Sequence, residues 1–445
     1  MKYCLAVDIG ASSGRHIVGY ETAEGIQTEE IYRFSNFMDK VGDSLTWDVE
    51  RLFSEVKTGI AKALLKYPNI ESVAIDTWGV DYVLMKGNEE LKPVYAYRDK
   101  RTEPILDEVH SLISEKELFS RTGLQFKSFD SIFQLYRDKK DGRLEGVTDF
   151  LMMPEYLSYR LTGVMAKERT NATTTGLINA DTLEFDEYIF ENLGLPKALM
   201  SPLVSPGYIL GYLKEEVAEE VGGNLKVVLV ATHDTASAVE ALDMEENSLY
   251  ISSGTWSILG VKTEKALTDE RSRESGYSNE GGVGYNRYQK NNSGMWIIQE
   301  LRRELCPDTD YGEIAAMASK SEYNGIFDVN DNAFLSPKSM KNAVYDYFRL
   351  HNEPVPQSNA DYFNSAYRSI ASSYKTAIED LEKNVGRTYG SVYIRTYGSV
   401  YIVGGGAKNT YLNSLTESFT KKKVVALPIE ATAIGNLKIQ LKSSK

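Results

Sequence analysis

Cysteine is scarce in this sequence, with only Cys4 and Cys306 among 445 residues. The two form no C-x-x-C pair and no spacing typical of a metal site, which excludes a disulfide framework. We therefore expect a protein of the reducing cytoplasm. The four histidines are scattered along the chain, and this argues against a structural zinc site.

Long apolar runs and basic clusters are also missing. No run reaches the ~18 apolar residues of a membrane helix, and the first residues lack the apolar core of a signal peptide. The net charge of −13 argues against nucleic acid and anionic membranes as partners. The one compact basic run, 421–423, is expected to lie exposed at a helix end.

What is present fits two domains. A chain of 445 residues is too long for a single core, and its 42% hydrophobic content is ordinary for a globular protein. Strand patterns alternate with helix patterns, which is typical of the α/β class, with mixed sheets covered by helices. We place the boundary between 243 and 244, which gives domains 1–243 and 244–445.

The stretch 5–20 predicts a β-hairpin around a turn of small residues. An apolar strand runs into Asp8, a Gly/Ser turn follows, and a second apolar strand returns. Gly10 and Gly14 let a ligand approach the backbone, and the hydroxyls of Ser12 and Ser13 add donors, so the turn is a candidate phosphate cradle. The alternative is an ordinary hairpin whose aspartate caps the turn.

A second stretch, 249–260, repeats this plan: apolar strand, Ser/Gly/Thr turn, apolar strand. Two matching hairpins at the heads of two halves of similar size indicate duplicated domains that face one another across a cleft. The actin-like ATPase superfold is built in this way.

The strongest candidate for chemistry is Asp234. It follows the buried strand 227–230 and precedes a helix of small residues, so the helix dipole favours its ionised form. An ionised carboxylate there can accept the proton of an attacking hydroxyl, and His233 can hydrogen-bond a neighbouring hydroxyl. The alternative is a plain helix N-cap.

Other candidates stand at strand ends. Asp76 and Asp81 end a strand, with Gly79 between them either admitting a substrate or forming a tight turn beside a packed Trp78. The stretch 170–176 either pairs as a strand or lines a cleft.

The second half offers weaker signals. Asn291 and Gln299, near the start of an amphipathic helix, could meet sugar hydroxyls or nucleotide oxygens. The glycines at 404–406 form a loop that a flat ring or a phosphate can approach. A G-x-G-x-x-G fingerprint is absent, which disfavours a dinucleotide site.

Seven blocks spread over nearly the whole chain resemble the FGGY family of carbohydrate kinases. They are D-I-G-A-S-S-G-R at 8–15, I-D-T-W-G-V-D at 75–81, M-P-E-Y at 153–156, T-N-A-T-T at 170–174, T-H-D-T-A-S-A-V at 232–239, S-G-T-W-S at 253–257 and G-G-G at 404–406. The resemblance implies two ribonuclease H-like/actin-like domains with a cleft between them.

The resemblance further implies transfer of the γ-phosphoryl group of ATP, with Mg²⁺, to O1 of L-rhamnulose, or to another ketose such as L-fuculose. By match to the family, Asp234 is the base and Asp8 orients the magnesium or its waters. The implied sugar contacts are Gly79, His233, Asp234, Thr235 and Asn291. The implied ATP contacts are Ala11, Ser12, Ser13, Gly14, Arg15, Thr255, Gln299 and Gly405. A monomer or a homodimer is expected.

Two features depart from the family pattern. The octapeptide R-T-Y-G-S-V-Y-I occurs in tandem at 387–394 and 395–402, where the family has one strand. Eight is even, so either copy preserves which side chains face inward; we expect the second copy to fill the sheet and the first to form a loop or extend an edge. The family usually continues beyond the position of Lys445, so some apolar surface is expected to be exposed.

Two alternatives to an active kinase remain open. A nucleotide-gated binding protein, like the ATPase domain of heat-shock chaperones, would need a separate peptide-binding domain. A kinase-derived protein made inactive by the duplication and the short C-terminus would show no activity with any sugar.

Overall fold

The computed structural model describes residues 2–244, 248–388, 399–403, 408–426 and 430–443. By compactness the chain divides into two units. Unit 1 comprises Met1–Leu242, Thr263–Arg287 and Thr432–Lys445, and unit 2 comprises Asp243–Lys262 and Tyr288–Ala431. Two short segments of the second half thus belong to the compact body of the first. Which of the ranges 1–243 and 244–445 serves which substrate stays a prediction.

The secondary structure confirms the α/β class. The strands are β1 Tyr3–Ile9, β2 Ser13–Thr22, β3 Gly25–Ser35, β4 Asp39–Val41, β5 Ser44–Trp47, β6 Ile70–Thr77, β7 Tyr82–Lys86, β8 Glu89–Leu91, β9 Val94–Tyr95, β10 Asp149–Met152, β11 Lys167–Glu168, β12 Leu203–Val204, β13 Tyr208–Tyr212, β14 Lys226–Leu229, β15 Ser248–Ser253, β16 Trp256–Thr263, β17 Ser278–Gly281, β18 Asn286–Ser293, β19 Ser399–Val403 and β20 Lys423–Ala426. The α-helices are α1 Val49–Lys66, α2 Leu106–Leu112, α3 Glu115–Thr122, α4 Ser131–Lys140, α5 Met153–Thr162, α6 Arg169–Ala172, α7 Glu187–Leu193, α8 Glu215–Val221, α9 Asp234–Glu240, α10 Glu270–Glu274, α11 Trp296–Leu305, α12 Tyr311–Ala318, α13 Met340–Leu350, α14 Asn359–Thr388, α15 Thr410–Thr420 and α16 Ala431–Ser443.

Unit 1 is built on a six-stranded mixed sheet in the order β13-β14-β6-β1-β2-β3. The first two strands form the predicted antiparallel hairpin, and β1, β6 and β14 run parallel to one another. Strand β1 is buried on both faces because it is central and covered by helices on either side.

Helices cover both faces of this sheet. Asp48 caps α1 by accepting from the Arg51 amide, and α1 buries a stripe that includes Val56 and Ile60. On the opposite face, α16 contributes Leu437 to the core, and its Gln440 donates to the Leu5 carbonyl over 3.0 Å.

The second predicted hairpin lies in a six-stranded sheet of order β17-β18-β16-β15-β19-β20, of which β15, β19 and β20 belong wholly to unit 2. Strands β15 and β16 are antiparallel, and β19 pairs in parallel with β15 on one side and β20 on the other. Strand β19 is Ser399–Val403, so the last four residues of the second copy of the octapeptide lie in the sheet, as predicted for that copy. The first copy ends α14 with its first two residues, and the rest of that copy lies outside the described residues.

Two expectations about local structure are corrected. The basic run 421–423 is not wholly exposed, because Lys422 is buried against Glu382 with an Nζ–Oε1 distance of 2.8 Å. The stretch 170–176 is not a strand but a helical segment, in which α6 is followed by a short 3₁₀ turn. Cys4 and Cys306 are both free thiols. Among the described helices, none is long and apolar enough to cross a membrane.

Candidate active site

The parallel strands of unit 1 end at one edge of its sheet, and this edge gathers the predicted residues of the first half. Asp8 lies opposite Asp76 in the β1–β6 register. Thr77 pairs with His233 in an isolated bridge, and the Thr77 amide donates to the Thr232 carbonyl over 2.9 Å. Because the carboxyl ends of parallel strands form the ligand-binding edge of α/β sheets, this edge is the candidate site.

Asp234 is not a helix N-cap: the N-cap position belongs to His233, and Asp234 is the first residue of α9. Its Oδ1 accepts from the Thr235 amide at 2.5 Å and from the Thr235 hydroxyl at 3.1 Å. Its Oδ2 accepts no hydrogen bond from the residues that the structure describes, and the side chain is 31% exposed. One carboxylate oxygen is therefore held while the other is open to a ligand.

Two buried glutamates anchor the chain just before Asp234. The Thr232 hydroxyl lies 2.8 Å from Oε1 of Glu155 and 3.0 Å from Oε2 of Glu168, and the Thr232 amide donates to the same Oε2. Burial and the neighbouring Glu168 raise the pKa of Glu155 to about 8, and burial raises the pKa of Glu168 as well. No sequence pattern points to this anchor, although Glu155 lies in one of the family blocks.

His233 is held by two charged residues that the sequence did not point to. Its Nδ1 lies 3.1 Å from Nη2 of Arg287 and 3.3 Å from Oε2 of Glu280. Its Nε2 lies 3.5 Å from Oδ1 of Asp234. Arg287 is fully buried and also donates to the carboxylate of Glu280 over 2.9 Å. No pattern in the sequence links these residues, since they come from β17 and β18.

The segment at Gly79 combines a packed turn with backbone strain. Val80 has a φ of 67°, which is unfavourable for a β-branched residue, and its amide and carbonyl are fixed by Thr174 and Ser131. A Cβ at Gly79 would lie 2.8 Å from the Thr174 hydroxyl, so packing alone already requires glycine. Strain of this kind is concentrated at functional sites.

Asp81 is a structural residue. It is fully buried, and its carboxylate accepts from the indoles of Trp47 and Trp78 and from Gln134. Burial raises its pKa to about 6 against the effect of these donors. The packed Trp78 that the tight-turn alternative predicts is therefore present, with its indole bonded to Asp81.

The first hairpin turn presents backbone donors. The Gly10 amide bonds to the Ser13 carbonyl at 2.9 Å, and Asn36 holds the turn by donating to the Gly10 and Ser12 carbonyls. The amides of Ala11 and Ser12 donate to no acceptor in the described part of the chain, which is the arrangement that an anion cradle needs. Gly14 is required because a Cβ there would lie 2.1 Å from the Phe34 ring.

The carboxylates beneath this turn fit a magnesium ion. Asp8 is paired with Arg15, whose Nη2 lies 2.9 Å from its Oδ2. The buried Oδ1 of Asp76 has no hydrogen-bond partner, and burial, together with the charges of Asp8 and Asp234, raises its pKa well above the ordinary range. Within the described ranges no three His, Cys, Asp or Glu side chains converge, but Mg²⁺ commonly takes only one or two carboxylates besides water and phosphate.

Unit 2 has its own turn with an unpaired donor. The Gly254 amide bonds to the Trp256 carbonyl at 2.9 Å, and the turn accepts the amides of Met295 and Trp296 at the start of α11. The Thr255 amide finds no acceptor among the described residues, and the Thr255 hydroxyl lies 3.5 Å from Oε1 of Gln299. Asn291 is exposed on β18. The predicted contact at Gly405 lies outside the described residues.

Comparison with known proteins agrees with this architecture. A rhamnulokinase from Oceanobacillus iheyensis is 40% identical over 446 residues, covering 99% of this chain and 93% of the relative. A rhamnulokinase from Halalkalibacterium halodurans is 39% identical over 444 residues, with coverages of 99% and 93%. The crystal structure of ligand-bound xylulose kinase from Lactobacillus acidophilus matches with a TM-score of 0.82 at 14% identity, covering 100% of this chain and 90% of the other, and so shares the fold.

The models of the N-terminal and C-terminal domains of the FGGY family of carbohydrate kinases match residues 3–240 and 249–444. These matches cover nearly all of the chain and include the edge with Asp8 and Asp234 as well as both hairpins. The chain therefore belongs to the FGGY family of carbohydrate kinases.

Proposed function

We propose that this protein transfers the γ-phosphoryl group of ATP to O1 of L-rhamnulose, in the cytoplasm, where ATP is present. The observation that carries the proposal is the carboxylate of Asp234, with Oδ1 held by Thr235 and Oδ2 open at the ligand-binding edge. Relatives at 39–40% identity that are named rhamnulokinase support the choice of ketose.

In the proposed reaction, Oδ2 of Asp234 accepts the proton of the O1 hydroxyl as O1 attacks the γ-phosphorus. The new O1–P bond forms as the bond from phosphorus to the departing oxygen of ADP breaks. Holding the base beside the hydroxyl matters because proton transfer to a positioned carboxylate contributes about 10²- to 10⁴-fold in rate.

The nucleotide is proposed to lie against backbone donors rather than against a basic cluster. The amides of Ala11 and Ser12 would bind phosphate oxygens with Ser13, Gly14 and Arg15 around them. Thr255 of the second hairpin and Gln299 of α11 would also bind the nucleotide. Gly405 remains a proposed contact from the family match. Asp8 and Asp76 would hold Mg²⁺, which neutralises charge on the transferred phosphoryl group when it is bound.

The ketose is proposed to contact Gly79, His233, Thr235 and Asn291. The strained backbone at Val80, fixed by Thr174 and Ser131, supports the first of these contacts because it holds the turn in one geometry. Sugar recognition depends on such fixed polar groups, since a misplaced hydroxyl leaves a buried donor unpaired.

The test is to incubate the purified full chain with ATP, Mg²⁺ and, separately, L-rhamnulose, L-fuculose, L-ribulose and D-xylulose, and to measure ADP release. We expect the highest kcat/KM with L-rhamnulose and phosphorylation at O1, assigned by ³¹P–¹H NMR of the product. A higher kcat/KM with another ketose would show that the protein is a sugar kinase with a different preferred substrate. ADP release that is independent of every sugar, or no release at all, would overturn the proposal.

A further inference from the structure

The base of the proposed reaction sits beside a histidine, and a pair of this kind leaves open which of the two takes the proton. His233 is 12% exposed and Asp234 is 31% exposed, so both reach the same edge. The hydrogen bonds on the far side of the imidazole decide between them, because they determine which ring nitrogen carries hydrogen.

Arg287 supplies the decisive contact. Its guanidinium has only donors, and Nη2 lies 3.1 Å from Nδ1 of His233. A hydrogen on Nδ1 would therefore point at an N–H group, whereas a lone pair on Nδ1 accepts from it. The guanidinium stays charged and cannot adapt by losing a proton.

Other contacts fix Arg287 in this position. Nε donates to the Gly281 carbonyl over 2.9 Å, and Nη2 also lies 2.9 Å from Oε2 of Glu280. The side chain is fully buried. A planar group held at two of its nitrogens has little freedom to turn away from the imidazole.

Glu280 is the competing partner, since its Oε2 lies 3.3 Å from the same Nδ1. A carboxylate would attract a hydrogen on Nδ1, and that assignment would leave a lone pair on Nε2. Nε2 faces Oδ1 of Asp234 at 3.5 Å, where a lone pair would be repelled by the carboxylate and a hydrogen would be attracted. Arg287 at the Nδ1 end and Asp234 at the Nε2 end thus both favour a hydrogen on Nε2 and a lone pair on Nδ1.

We propose that Arg287 is a positioning residue that holds His233 with a hydrogen on Nε2 and a lone pair on Nδ1. His233 then faces the edge only as a donor, toward Asp234 or a ketose hydroxyl, and Asp234 is the sole base of the pair. The kinetic part of this inference rests on the proposed function, but the tautomer of His233 does not.

The first experiment reads the tautomer directly in the full-length protein without substrates. With only four histidines in the chain, ¹⁵N-histidine labelling gives few signals, and His233→Gln identifies those of His233. We expect the wild type to show a protonated Nε2 and an unprotonated Nδ1. A protonated Nδ1, whether in the other tautomer or in the imidazolium ion, would overturn the proposal.

The second experiment compares two variants. In Arg287→Met the donor is lost, so we expect hydrogen to appear on Nδ1 toward Glu280, with kcat reduced about 10- to 100-fold and KM for ATP unchanged. Arg287→Lys retains a donor and should restore part of the kcat and of the Nε2–H signal. An Arg287→Met protein that keeps the Nε2–H tautomer would refute the role of Arg287.

Glu280→Gln tests the competing partner, because it removes the charge of that partner and keeps an amide oxygen that can accept from Arg287. We expect the tautomer of His233 to be unchanged in this variant. A tautomer change in Glu280→Gln would assign the role to Glu280 instead. If Arg287→Met fails to fold, the wild-type spectrum and Glu280→Gln decide the matter, and absence of kinase activity would leave the tautomer result intact.

Discussion

The two hairpins share a backbone plan and differ in chemistry. In each, an antiparallel strand pair has a parallel neighbour, and a glycine amide closes the turn over 2.9 Å, Gly10 in unit 1 and Gly254 in unit 2. Two residues before the glycine, unit 1 has Asp8, paired with Arg15, whereas unit 2 has Ser252. The same plan therefore carries charge in one unit and hydroxyl groups in the other.

The contrast extends to the buried carboxyl groups. In unit 1, burial raises the pKa of several carboxyl groups, namely Asp76, Asp81, Asp130, Glu155 and Glu168. In unit 2, burial also acts on Glu304 and Asp361, but hydrogen bonds from Ser339 and Ser321 and from nearby amides outweigh it, and both pKa values are lowered. Within the described residues, unit 1 thus keeps several carboxyl groups in an unfavourable environment, as catalytic sites do.

The largest expected effect comes from neutralising the base in unit 1. Asp234→Asn keeps the side-chain shape but cannot accept the proton, so kcat should fall about 10²- to 10⁴-fold with the ATP affinity largely intact. Steady-state kinetics with the best ketose and ATP titrations would measure both quantities.

A matched control is Asp48→Asn, because asparagine also caps helices and Asp48 caps α1 far along the chain from the site. Its kcat should equal that of the wild type. Normal turnover in Asp234→Asn would show that Asp234 is not the base. The charge difference between the two hairpins would then be unrelated to catalysis.

An intermediate effect is expected from the turn of unit 2. A Cβ at Gly294 would lie 2.8 Å from the Gly254 carbonyl oxygen and 2.9 Å from the Ser257 amide, so Gly294→Ala must displace the turn. We expect kcat/KM for ATP to fall about 10- to 100-fold and KM for the sugar to change little.

Gly312→Ala serves as its control in the same unit, since a Cβ there meets only the flexible Asp310 carboxylate at 3.1 Å. Its kinetics should be those of the wild type. Equal ATP kinetics in Gly294→Ala would show that the second turn does not contact the nucleotide.

The buried or partly buried carboxyl groups of the two units should make stability depend on pH with opposite signs. The pKa of Glu155 is about 8 in the folded protein, whereas the unfolded chain releases this proton near the ordinary pKa of a glutamate. Between these two pH values the folded state binds more protons than the unfolded state. The contribution of Glu155 to stability therefore falls as the pH rises through this range. Glu155→Gln should flatten that decline in urea unfolding at pH 5, 7 and 9.

Glu304→Gln should act on the acid side instead. Because the folded pKa of Glu304 is lowered, its contribution to stability is present above the unfolded pKa and is lost as the pH falls. Removing it should flatten the loss of stability at low pH. Parallel changes in both variants would contradict the contrast drawn between the units.

The smallest effect is expected from deleting one copy of the tandem octapeptide. Deletion of 387–394 leaves the same eight residues joined to 403, and the even number preserves the two-residue period of a strand. We expect unchanged kcat and a melting temperature no lower than that of the full chain. A protein that fails to fold after the deletion would show that both copies are needed.

Some elements could be predicted from the local sequence pattern, because the interactions that form them are local. The hairpin at 5–20, the helix capped by Asp48 and the strand–helix junction at Asp234 follow from apolar periodicity, turn residues and caps, which act within a few residues. The exposure predicted for Lys422 was wrong for the opposite reason. Its partner Glu382 lies on α14, 40 residues earlier in the chain, whereas local charge density predicts exposure.

The sequence by itself determined the class of fold, the two hairpins, the family and the residue most suited to act as base. Only the tertiary structure decided that Glu155 and Glu168 anchor Thr232 and that Arg287 lies behind His233. The physical reason is that hydrogen bonds and charges act over a few ångströms in space, and the residues that make these contacts are separated by tens of residues along the chain. No local pattern specifies such pairs, whereas packing of the sheet and its helices brings them together.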